Sequence, residues 1–377
     1  MQNAETIQEK LRCIAFYLPQ YHPIPENDKW WGKGFTEWTN VTRAKPLFPG
    51  HYQPHLPADL GFYDLRLPEA RHAQADLAKA HGVEGFCYYH YWFNGKRLLE
   101  RPFNDVLSSG KPDLPFCLCW ANEVWSRRWL GEERDILQKQ AYSAEDDLNH
   151  IRWLMNAFSD SRYIQIKGRP LFLIYRPLDL PEPKRTIETF KSKCVKQGLP
   201  EPYLVGVDAH RPGFNFAEIG FDSTLAFEPQ LGALPDFMDD RAKLSKFLRN
   251  LKLGIDSPKL KVYDYLTARR LMLRRQRNFS HHPCIFVSWD NTARRGQNAT
   301  IIVNAKPEYF EEGLLKMVNS LMDKPYDERL LFINAWNEWA EGNHLEPDLK
   351  HGTQYLEAVK RVNHNQAQGE VKCQITN

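Results

Sequence analysis

Long apolar runs are missing from this sequence. No stretch reaches the roughly 18 consecutive apolar residues that a membrane-spanning helix needs. The first residues, MQNAETIQEKLRC, contain no apolar core of the kind found in secretory signal peptides. These absences argue against a helical membrane protein and against secretion, and we expect a protein of the cytoplasm.

The sequence also lacks the short motifs of several enzyme classes. Neither GxGxxG nor GxxxxGK with a following Ser or Thr comes after the first apolar run, so a nucleotide-binding fingerprint is missing. There is no HExxH of zinc peptidases and no GxSxG of serine hydrolases. These absences argue against nucleotide, zinc-peptidase and serine-hydrolase chemistry.

Two histidines come closest to a metal motif. His51 and His55 are four residues apart in the segment HYQPH, a spacing that would put both on one face of a helix. Pro54 between them disfavours a helix, so surface histidines are the better interpretation. The sequence therefore predicts neither a metal site nor a bound cofactor.

The seven cysteines are scattered along the chain without CxxC spacing. Four of them lie inside apolar runs, namely Cys87, Cys117, Cys119 and Cys284. Cysteines buried in apolar surroundings are inert, so we expect free structural thiols rather than a catalytic nucleophile.

Aromatic residues are abundant instead. They make up 13% of the chain and include 11 tryptophans. Composition alone leaves two interpretations open, because the rings could fill a tryptophan-rich core or serve as flat apolar platforms for sugar rings. Trp30 and Trp31 favour the second interpretation, since they are predicted to lie in a loop after the first strand, where an indole is hard to bury.

Positive charge is concentrated in one segment. Residues 241–278 carry 12 Lys and Arg against two Asp, a local balance of +10, although the whole chain has a net charge of only +3. Such asymmetry is typical of a surface that meets an anionic membrane or another polyanion. A solvated helix face is the alternative.

Eight apolar segments, rich in β-branched and aromatic residues, recur along the chain, and each leads into polar residues. Nearly continuous hydrophobicity at their starts is typical of strands that are buried on both faces in a parallel sheet. The segments are 14–22, 82–93, 115–123, 170–177, 202–210, 221–229, 283–291 and 330–338.

Helical patterns separate these strands. Apolar residues recur every three or four positions after Leu67, after Ser143 and after Pro307, and 184–198 and 353–362 are further candidates. Alternating strands and helices predict a single (β/α)8 TIM barrel over residues 12–362, with an open doubly wound sheet as the competitor. Residues 365–377 are expected to form a flexible tail.

In such a barrel the active site lies at the carboxyl ends of the strands. Polar and aromatic residues occur together at these ends, which predicts a cleft where rings stack on sugars and polar groups bind hydroxyls. The candidates for substrate binding are Tyr17, Tyr21, Trp31, Tyr89, Tyr91, Trp92, Trp120, Asn122, Glu123, Trp125, Tyr175, Asp208, His210, Glu228, Trp289, Asn291, Asn337 and His344.

Two carboxylates are the catalytic candidates. Glu338 and Glu341 are three residues apart in NAWNEWAEGNHLEPD, close to two tryptophans. Apolar surroundings raise a carboxyl pKa, and neighbouring carboxylates drive their pKa values apart, which suits glycoside hydrolysis. The structural alternative is that one carboxylate caps a backbone and the other pairs with Arg294 or Arg295.

Several long segments resemble the bacterial WbsX-like family, whose genes occur with those for O-antigen and other surface polysaccharides. They are FYLPQYHPIPENDKWWGKGFTEW, GFCYYHYWFNGKRLLERPFNDVL, PFCLCWANEVWSRRW, EDDLNHIRWLMNAFSDSRYIQIKGRPLFLIYRP, SWDNTARRG and FINAWNEWAEGNHLEPD. The resemblance runs from about residue 12 to 362. One departure is Val124, where the family usually has Asn, and it could alter one polar contact.

The WbsX-like family is in turn similar to glycoside hydrolase family 99, endo-α-mannosidases and endo-α-mannanases with a (β/α)8 barrel. This link rests chiefly on NEWxEG followed by LEP. It implies that Glu338 acts as a base on the 2-hydroxyl of the sugar, giving a 1,2-anhydro sugar, and that Glu341 is the general acid, with overall retention. Direct attack by Glu338 is the ordinary retaining alternative.

We therefore expect a retaining glycoside hydrolase or transglycosylase, mannosidase-like and endo-acting, on a bacterial surface polysaccharide such as O-antigen. A glycosyltransferase of lipopolysaccharide biosynthesis and a non-catalytic glycan-binding protein are the alternatives. A metal-binding DxD motif is absent, and DFMDD at 236–240 has the wrong spacing. The expected partner is an oligo- or polysaccharide, free or lipid-linked, and no nucleic acid.

Overall fold

The computed structural model describes residues 11–127, 132–235, 260–273 and 277–367. Eight parallel strands form a closed barrel, which confirms the predicted fold. In chain order the barrel strands are β1 Arg12–Tyr17, β2 Gly85–Phe93, β3 Phe116–Trp120, β4 Arg169–Ile174, β5 Tyr203–Val207, β6 Ser223–Ala226, β7 His281–Phe286 and β8 Leu330–Asn334.

The barrel closes between its first and last strands. β1 pairs with β2 through Tyr17 and Tyr88, and with β8 through Ile14 and Phe332, all in parallel register. All residues of β1, β3 and β8 are buried, because side chains fill the barrel on one face and helices cover the other. The carboxyl ends of all eight strands therefore lie on one side of the molecule.

Helices surround the barrel or lie in the loops above it. Three of the predicted helices begin at a residue suited to a helix start. Pro68 and Pro307 each occupy the first position of a helix, and at the start of a third the Ser143 hydroxyl accepts a hydrogen bond from the Asp146 amide (3.0 Å). The helices are α1 Pro25–Trp31, α2 Glu37–Arg43, α3 Pro68–Ala80, α4 Arg101–Ser109, α5 Ala144–Phe158, α6 Pro183–Lys196, α7 Tyr265–Leu273, α8 Thr292–Arg295, α9 Pro307–Asn319 and α10 Gln354–Ala367.

Short strands complete the structure outside the barrel. Several of them form hairpins in the loops at the carboxyl ends of the barrel strands. They are Lys96–Leu98, Trp125–Arg127, Glu132–Gln138, Gln165–Ile166, Lys261–Asp264, Trp289–Asp290, Thr300–Val303, Asn337–Glu338 and Asn343–His344.

One connection departs from the regular alternation. Residues 208–222, between β5 and β6, contain a 3-10 turn at Phe216–Ile219 and no α-helix. A Cβ on Gly206 would come within 2.5 Å of the Phe216 ring, so the glycine leaves the space that this ring fills against the strand. The phenylalanine thus covers β5 where a helix would otherwise pack.

Two predictions fall largely outside the described residues. Most of the basic segment 241–278 does, as does the DFMDD segment at 236–240. At the carboxyl terminus α10 continues to Ala367, so residues 365–367 belong to a helix, and 368–377 lie beyond the described chain. Within the described ranges, none of the helices has the length and apolarity required to cross a membrane.

Candidate active site

A cleft of about 430 Å³ opens at the carboxyl ends of the barrel strands. Its walls combine aromatic rings with carboxylates and arginines, as the sequence predicted for this end of the barrel. Eleven of the predicted site residues line it: Trp31, Tyr89, Tyr91, Glu123, Trp125, Tyr175, His210, Trp289, Asn291, Glu338 and Glu341.

The loop after β8 carries both candidate carboxylates. Asn337–Glu338 and Asn343–His344 form a small antiparallel hairpin, and a 3-10 turn at Trp339–Glu341 joins them. The turn closes at Gly342, whose φ is +56° and whose Cβ, if it had one, would lie 3.0 Å from that of Asp290. Only glycine combines this conformation with so close an approach. The tight turn brings Glu338 and Glu341 to the same side of the loop.

A buried amide holds this loop against the loop after β1. The Asn337 side chain accepts a hydrogen bond from the Leu18 amide (2.7 Å) and donates one to the Leu18 carbonyl (3.0 Å). The Tyr21 hydroxyl donates to the Asn337 carbonyl (2.5 Å) and accepts from the Trp339 amide (3.2 Å). Asn337 and Tyr21 therefore position the catalytic candidates without lining the cleft.

One arginine binds both candidate carboxylates and a third one behind them. Arg294, in α8, donates from its two terminal nitrogens to Glu341 (2.7 Å) and Glu338 (3.1 Å). Its Nε donates to Glu37 (3.1 Å), a fully buried residue at the start of α2. Arg294 therefore pairs with both glutamates, whereas the structural alternative paired an arginine with only one of them. Both glutamates still line the cleft.

Burial controls the ionisation of this group. Loss of solvation raises the pKa of Glu338 to about 8, although Arg294 opposes the shift and Glu341 adds to it. The pKa of Glu341 is raised as well, again mainly by burial. If all three carboxylates around Arg294 were ionised, the buried cluster would carry a net charge of −2. A single proton shared between Glu338 and Glu341 at neutral pH is therefore favoured.

The raised pKa of Glu338 predicts a pH-dependent stability difference from the Glu338→Gln variant. A group whose pKa lies higher in the folded than in the unfolded protein binds more protons when folded, so it contributes stability at low pH that is lost as the pH rises through the folded value. Between about pH 6 and about pH 8, we expect the wild type to lose free energy of unfolding relative to Glu338→Gln.

Urea titrations of both proteins across this range measure the difference. Buried histidines such as His22 and His282, whose pKa values are lowered by burial, contribute equally to both proteins and cancel. A difference that stays constant across the range would contradict the raised pKa.

A second charged group lies at the rim of the cleft. Glu123 accepts a hydrogen bond from Arg176 (2.9 Å), and His210 lies 3.3 Å from the same carboxylate. Burial alone would raise the pKa of Glu123, but the hydrogen bonds from His210 and Arg176 lower it below its ordinary value. Glu123 is therefore an ionised hydrogen-bond acceptor at neutral pH, which suits a sugar hydroxyl and not proton donation.

Nine predicted site residues do not line the cleft. Three of them, Tyr17, Tyr21 and Asn337, are buried near β1 and β8. Tyr17 is 1% exposed and its hydroxyl donates to Gln74 (2.7 Å), on the helix side of the barrel. Tyr21 and Asn337 hold loops together, as described above. Tyr17 points away from the barrel axis because alternate residues of a strand face opposite sides, whereas Tyr21 and Asn337 are buried by contacts between loops.

A second group packs under the loops after β2 and β3. The Trp92 indole donates to Asp146 (2.9 Å) and stacks on His150 (4.5 Å between ring centres). Trp120 is fully buried and donates to the Trp92 carbonyl (3.1 Å). The Asn122 side chain bonds to the backbone of Arg176 and so joins the ends of β3 and β4. These three residues support the cleft from behind.

The remaining three are also buried. Asp208 accepts hydrogen bonds from the Phe227 amide (2.8 Å) and from Arg277 (2.7 Å). Glu228 lies 3.9 Å from Arg269, and burial raises its pKa to about 7. His344 stacks on Trp339 at 3.7 Å. Buried partners thus hold all three away from the ligand space.

The structure corrects two further expectations. His51 is not a surface residue, because it is 8% exposed and its Nε2 lies 2.6 Å from Asp290. His55 is half-buried and faces His344. Trp30 and Trp31 lie in the short helix α1 and not in a loop. The Trp30 indole packs edge-on against Trp125, whereas Trp31 lines the cleft.

Sequence reasoning missed residues that the structure brings to the site. No pattern in the sequence points to Glu37, and the sequence suggests Arg294 only as a structural partner for one of the glutamates. Gln20 and Asn27 also line the cleft. All four lie in segments that carry the family resemblance, but spacing alone does not link positions as far apart as 37 and 338.

Solved structures share this fold. The chain superimposes on an endo-α-mannosidase of glycoside hydrolase family 99 from Bacteroides thetaiotaomicron with a TM-score of 0.57, at 12% identity, covering 96% of this chain and 99% of that one. A chain described as a glycoside hydrolase-like protein matches with a TM-score of 0.56, at 13% identity and 94% coverage of both chains. These likenesses support the same barrel architecture.

Sequence relatives define the family. Two proteins described as uncharacterized protein WxcX, from two strains of Xanthomonas campestris pv. campestris, are 44% identical over 352 residues. The match covers 93% of this chain, and the chain spans about half the length of these relatives (49%). The model of the family described as Glycosyltransferase WbsX matches residues 13–359. This chain therefore belongs to the WbsX family.

Proposed function

We propose that this protein is a retaining glycoside hydrolase or transglycosylase that acts on a bacterial surface polysaccharide, with Glu338 and Glu341 as its catalytic pair. One observation carries the proposal: two buried carboxyls share the guanidinium of Arg294 in the wall of an aromatic-lined cleft. The fold shared with an endo-α-mannosidase supports glycosidic chemistry, and the family resemblance supports a surface polysaccharide as substrate.

In the first step the bond between the anomeric carbon and the leaving oxygen breaks. The Glu341 proton passes to that oxygen, so the leaving group departs as an alcohol. Glu338 takes the proton of the 2-hydroxyl, whose oxygen forms the new bond to the anomeric carbon, or else Glu338 forms that bond itself. Water or a second sugar hydroxyl then attacks the anomeric carbon and gives its proton to the Glu341 carboxylate. The bond formed in the first step breaks at the same time: either the 2-oxygen leaves the anomeric carbon and takes its proton back from Glu338, or the Glu338 carboxylate leaves. Two successive displacements yield net retention.

The raised pKa of Glu338 fits this scheme once a sugar is bound. In the free protein burial favours the neutral form of Glu338. A sugar hydroxyl that donates a hydrogen bond to Glu338 stabilises its carboxylate and lowers its pKa. The single proton of the pair is then held by Glu341, beside the leaving oxygen, so substrate binding itself sets the protonation state that the reaction needs.

The description of the family favours one second candidate, transfer from a nucleotide sugar. In that case the donor would carry a nucleotide, and the sugar would pass to an acceptor glycan with release of the nucleoside diphosphate. The described residues of the cleft pair acids with one buried arginine, an arrangement better suited to acid–base chemistry on a glycosidic bond than to a diphosphate leaving group.

An assay of the purified protein against defined bacterial glycans separates the two candidates. We expect new reducing ends or transglycosylation products without added nucleotide sugar, and retention at the anomeric carbon by proton NMR of the first product formed. Product that appears only when a nucleotide sugar is added would support the transferase. An inverted product would exclude the proposed pair of steps.

The aromatic wall predicts a binding role for Trp31. It lies in α1 and is one of the aromatic residues that line the cleft, as are Tyr91 and Trp125. Stacking of an aromatic ring is worth about 0.5–1.5 kcal/mol, so Trp31→Ala should raise KM by roughly 2- to 10-fold with little change in kcat. Phe62→Ala is the matched control, because this ring is 54% exposed and does not line the cleft. An equal KM increase in both variants would contradict a stacking role.

A further inference from the structure

Three metal-binding side chains converge beside the loop that carries the catalytic pair, outside the cleft lining. His55 Nδ1 lies 3.1 Å from His344 Nε2, and His344 Nε2 lies 3.9 Å from Asp348 Oδ2. The ligand atoms of all three residues are within 4.8 Å of one another. We propose that His55, His344 and Asp348 form a structural Zn²⁺ site, with water as the fourth ligand.

The distances suit a tetrahedral ion. Zinc binds imidazole nitrogen and carboxylate oxygen at about 2.0–2.2 Å, which places the ligand atoms of a tetrahedral site about 3.3–3.6 Å apart. The separations of 3.1 Å between His55 and His344 and 3.9 Å between His344 and Asp348 lie on either side of that range. Small side-chain rotations would therefore bring the three atoms around one ion, with no rearrangement of the backbone.

Neighbouring groups already orient two of the ligands. His344 Nδ1 lies 3.0 Å from the Glu346 carbonyl, and since a carbonyl only accepts, the proton is on Nδ1 and the Nε2 lone pair faces the site. Asp348 Oδ1 accepts from the amides of Lys350 (3.0 Å) and His351 (2.6 Å), which leaves Oδ2 turned towards His344. Such outer hydrogen bonds are typical of histidine and carboxylate ligands in metal sites.

The ligand set selects the class of metal. Two imidazole nitrogens and one carboxylate suit Zn²⁺ or a related transition ion, whereas Ca²⁺ and Mg²⁺ prefer sites built from oxygen atoms. His344 and Asp348 are buried and His55 is half-buried, so one side of the site is open to a water ligand. The Lys350 ammonium lies over the Tyr52 ring, 4.7 Å from the ring centre, and Tyr52 in turn packs against His55.

The position of the site indicates what the ion would do. His55 comes from the loop between α2 and α3, whereas His344 lies in the second strand of the Glu338 hairpin and Asp348 follows that strand. The two segments already meet at an isolated bridge between Pro57 and Asp348. His344 stacks on Trp339, which lies between the two catalytic candidates in sequence. A zinc ion would therefore fix the hairpin to its neighbouring loop, and this role does not depend on the proposed reaction.

Metal analysis of the full chain, produced without a histidine tag, tests the site. We expect about one zinc per chain after saturation with ZnCl₂ and removal of excess, and a rise in Tm relative to protein treated with a chelator. His55→Gln and Asp348→Asn should each weaken zinc binding at least about tenfold and abolish that rise in Tm. Both changes keep hydrogen-bonding groups in place. After treatment with a chelator, the variants should therefore have a Tm close to that of the wild type treated in the same way.

The exposed His72, in α3, provides the control variant His72→Gln, which should bind zinc like the wild type. Wild-type protein that binds no zinc would overturn the proposal and leave a hydrogen bond between His55 and His344 as the whole interaction. Equal zinc content in all variants would also overturn it, since the ion would then lie elsewhere. Both readouts are independent of turnover, so failure of the proposed glycosidase activity does not affect this test.

Discussion

Glu338→Gln and Glu341→Gln are each expected to remove turnover on the glycan substrate while the protein remains folded. Glutamine has nearly the same shape and its amide oxygen still accepts from Arg294, so the buried hydrogen bonds at 3.1 and 2.7 Å are retained in kind. What is lost is the ability to take or give a proton. General acid–base groups contribute roughly 10²–10⁴-fold each, and kcat should fall by about that factor in each variant.

The two variants should respond differently to the leaving group of the substrate. A substrate with an activated aryl leaving group needs little protonation, so it should restore part of the activity of Glu341→Gln but not of Glu338→Gln. Glu312→Gln is the matched control, because Glu312 pairs with Lys316 on the exposed face of α9 and should have unchanged kinetics. Turnover within a few fold of the wild type in either cleft variant would remove that residue from the mechanism.

Arg294→Met is expected to have the largest effect on stability. Arg294 is the shared partner of Glu37, Glu338 and Glu341, and its side chain is buried. Removing one partner of a buried ion pair costs about 3–5 kcal/mol, because the other charge is left without compensation. We expect a loss of this size in the free energy of unfolding at neutral pH, together with loss of turnover.

The pH dependence of that loss identifies its cause. Arg294 lowers the pKa values of both Glu338 and Glu341, so its removal raises them further and both carboxyls are protonated more readily. The destabilisation should therefore be smaller at about pH 5, where the carboxyls are neutral, and larger at about pH 8. Urea unfolding at the two pH values measures it.

A double variant provides the control for this interpretation. Arg294→Met combined with Glu338→Gln carries one fewer unpaired carboxylate, so it should recover part of the stability lost by Arg294→Met alone. A loss that is independent of pH and unchanged in the double variant would point to packing of the arginine side chain instead of charge.

Much of the fold could be predicted from the sequence, because parallel strands covered on both faces are hydrophobic along their length. All eight barrel strands lie within or overlap the predicted segments, and all except β2 end earlier than predicted at the carboxyl end. The segment 330–338, for example, contains β8 only as far as Asn334. The apolar run continues beyond the end of β8, because Ala335 and Trp336 are buried in the core. Sequence periodicity cannot distinguish such buried residues after a strand from the strand itself.

A residue's position in the chain was enough to predict which end of the barrel it lies at. Glu338 and Glu341 follow the last strand directly, so the barrel topology alone brings them to the cleft end. Chain position does not predict the direction in which a side chain points. Trp120 and Asp208 also stand at strand ends, yet both are fully buried behind the cleft, with Trp120 bonded to the Trp92 carbonyl and Asp208 to Arg277.

The sequence by itself therefore determined the barrel, the end of the barrel that carries the cleft and the two carboxylates at the last strand, because these depend on local hydrophobicity and chain order. Only the tertiary structure decided that Arg294 joins these carboxylates to Glu37, residues that lie up to 304 positions apart in the chain. The meeting of His55 with His344 has the same origin. Such contacts arise when the barrel closes and its loops pack against one another, and no spacing within one segment encodes them.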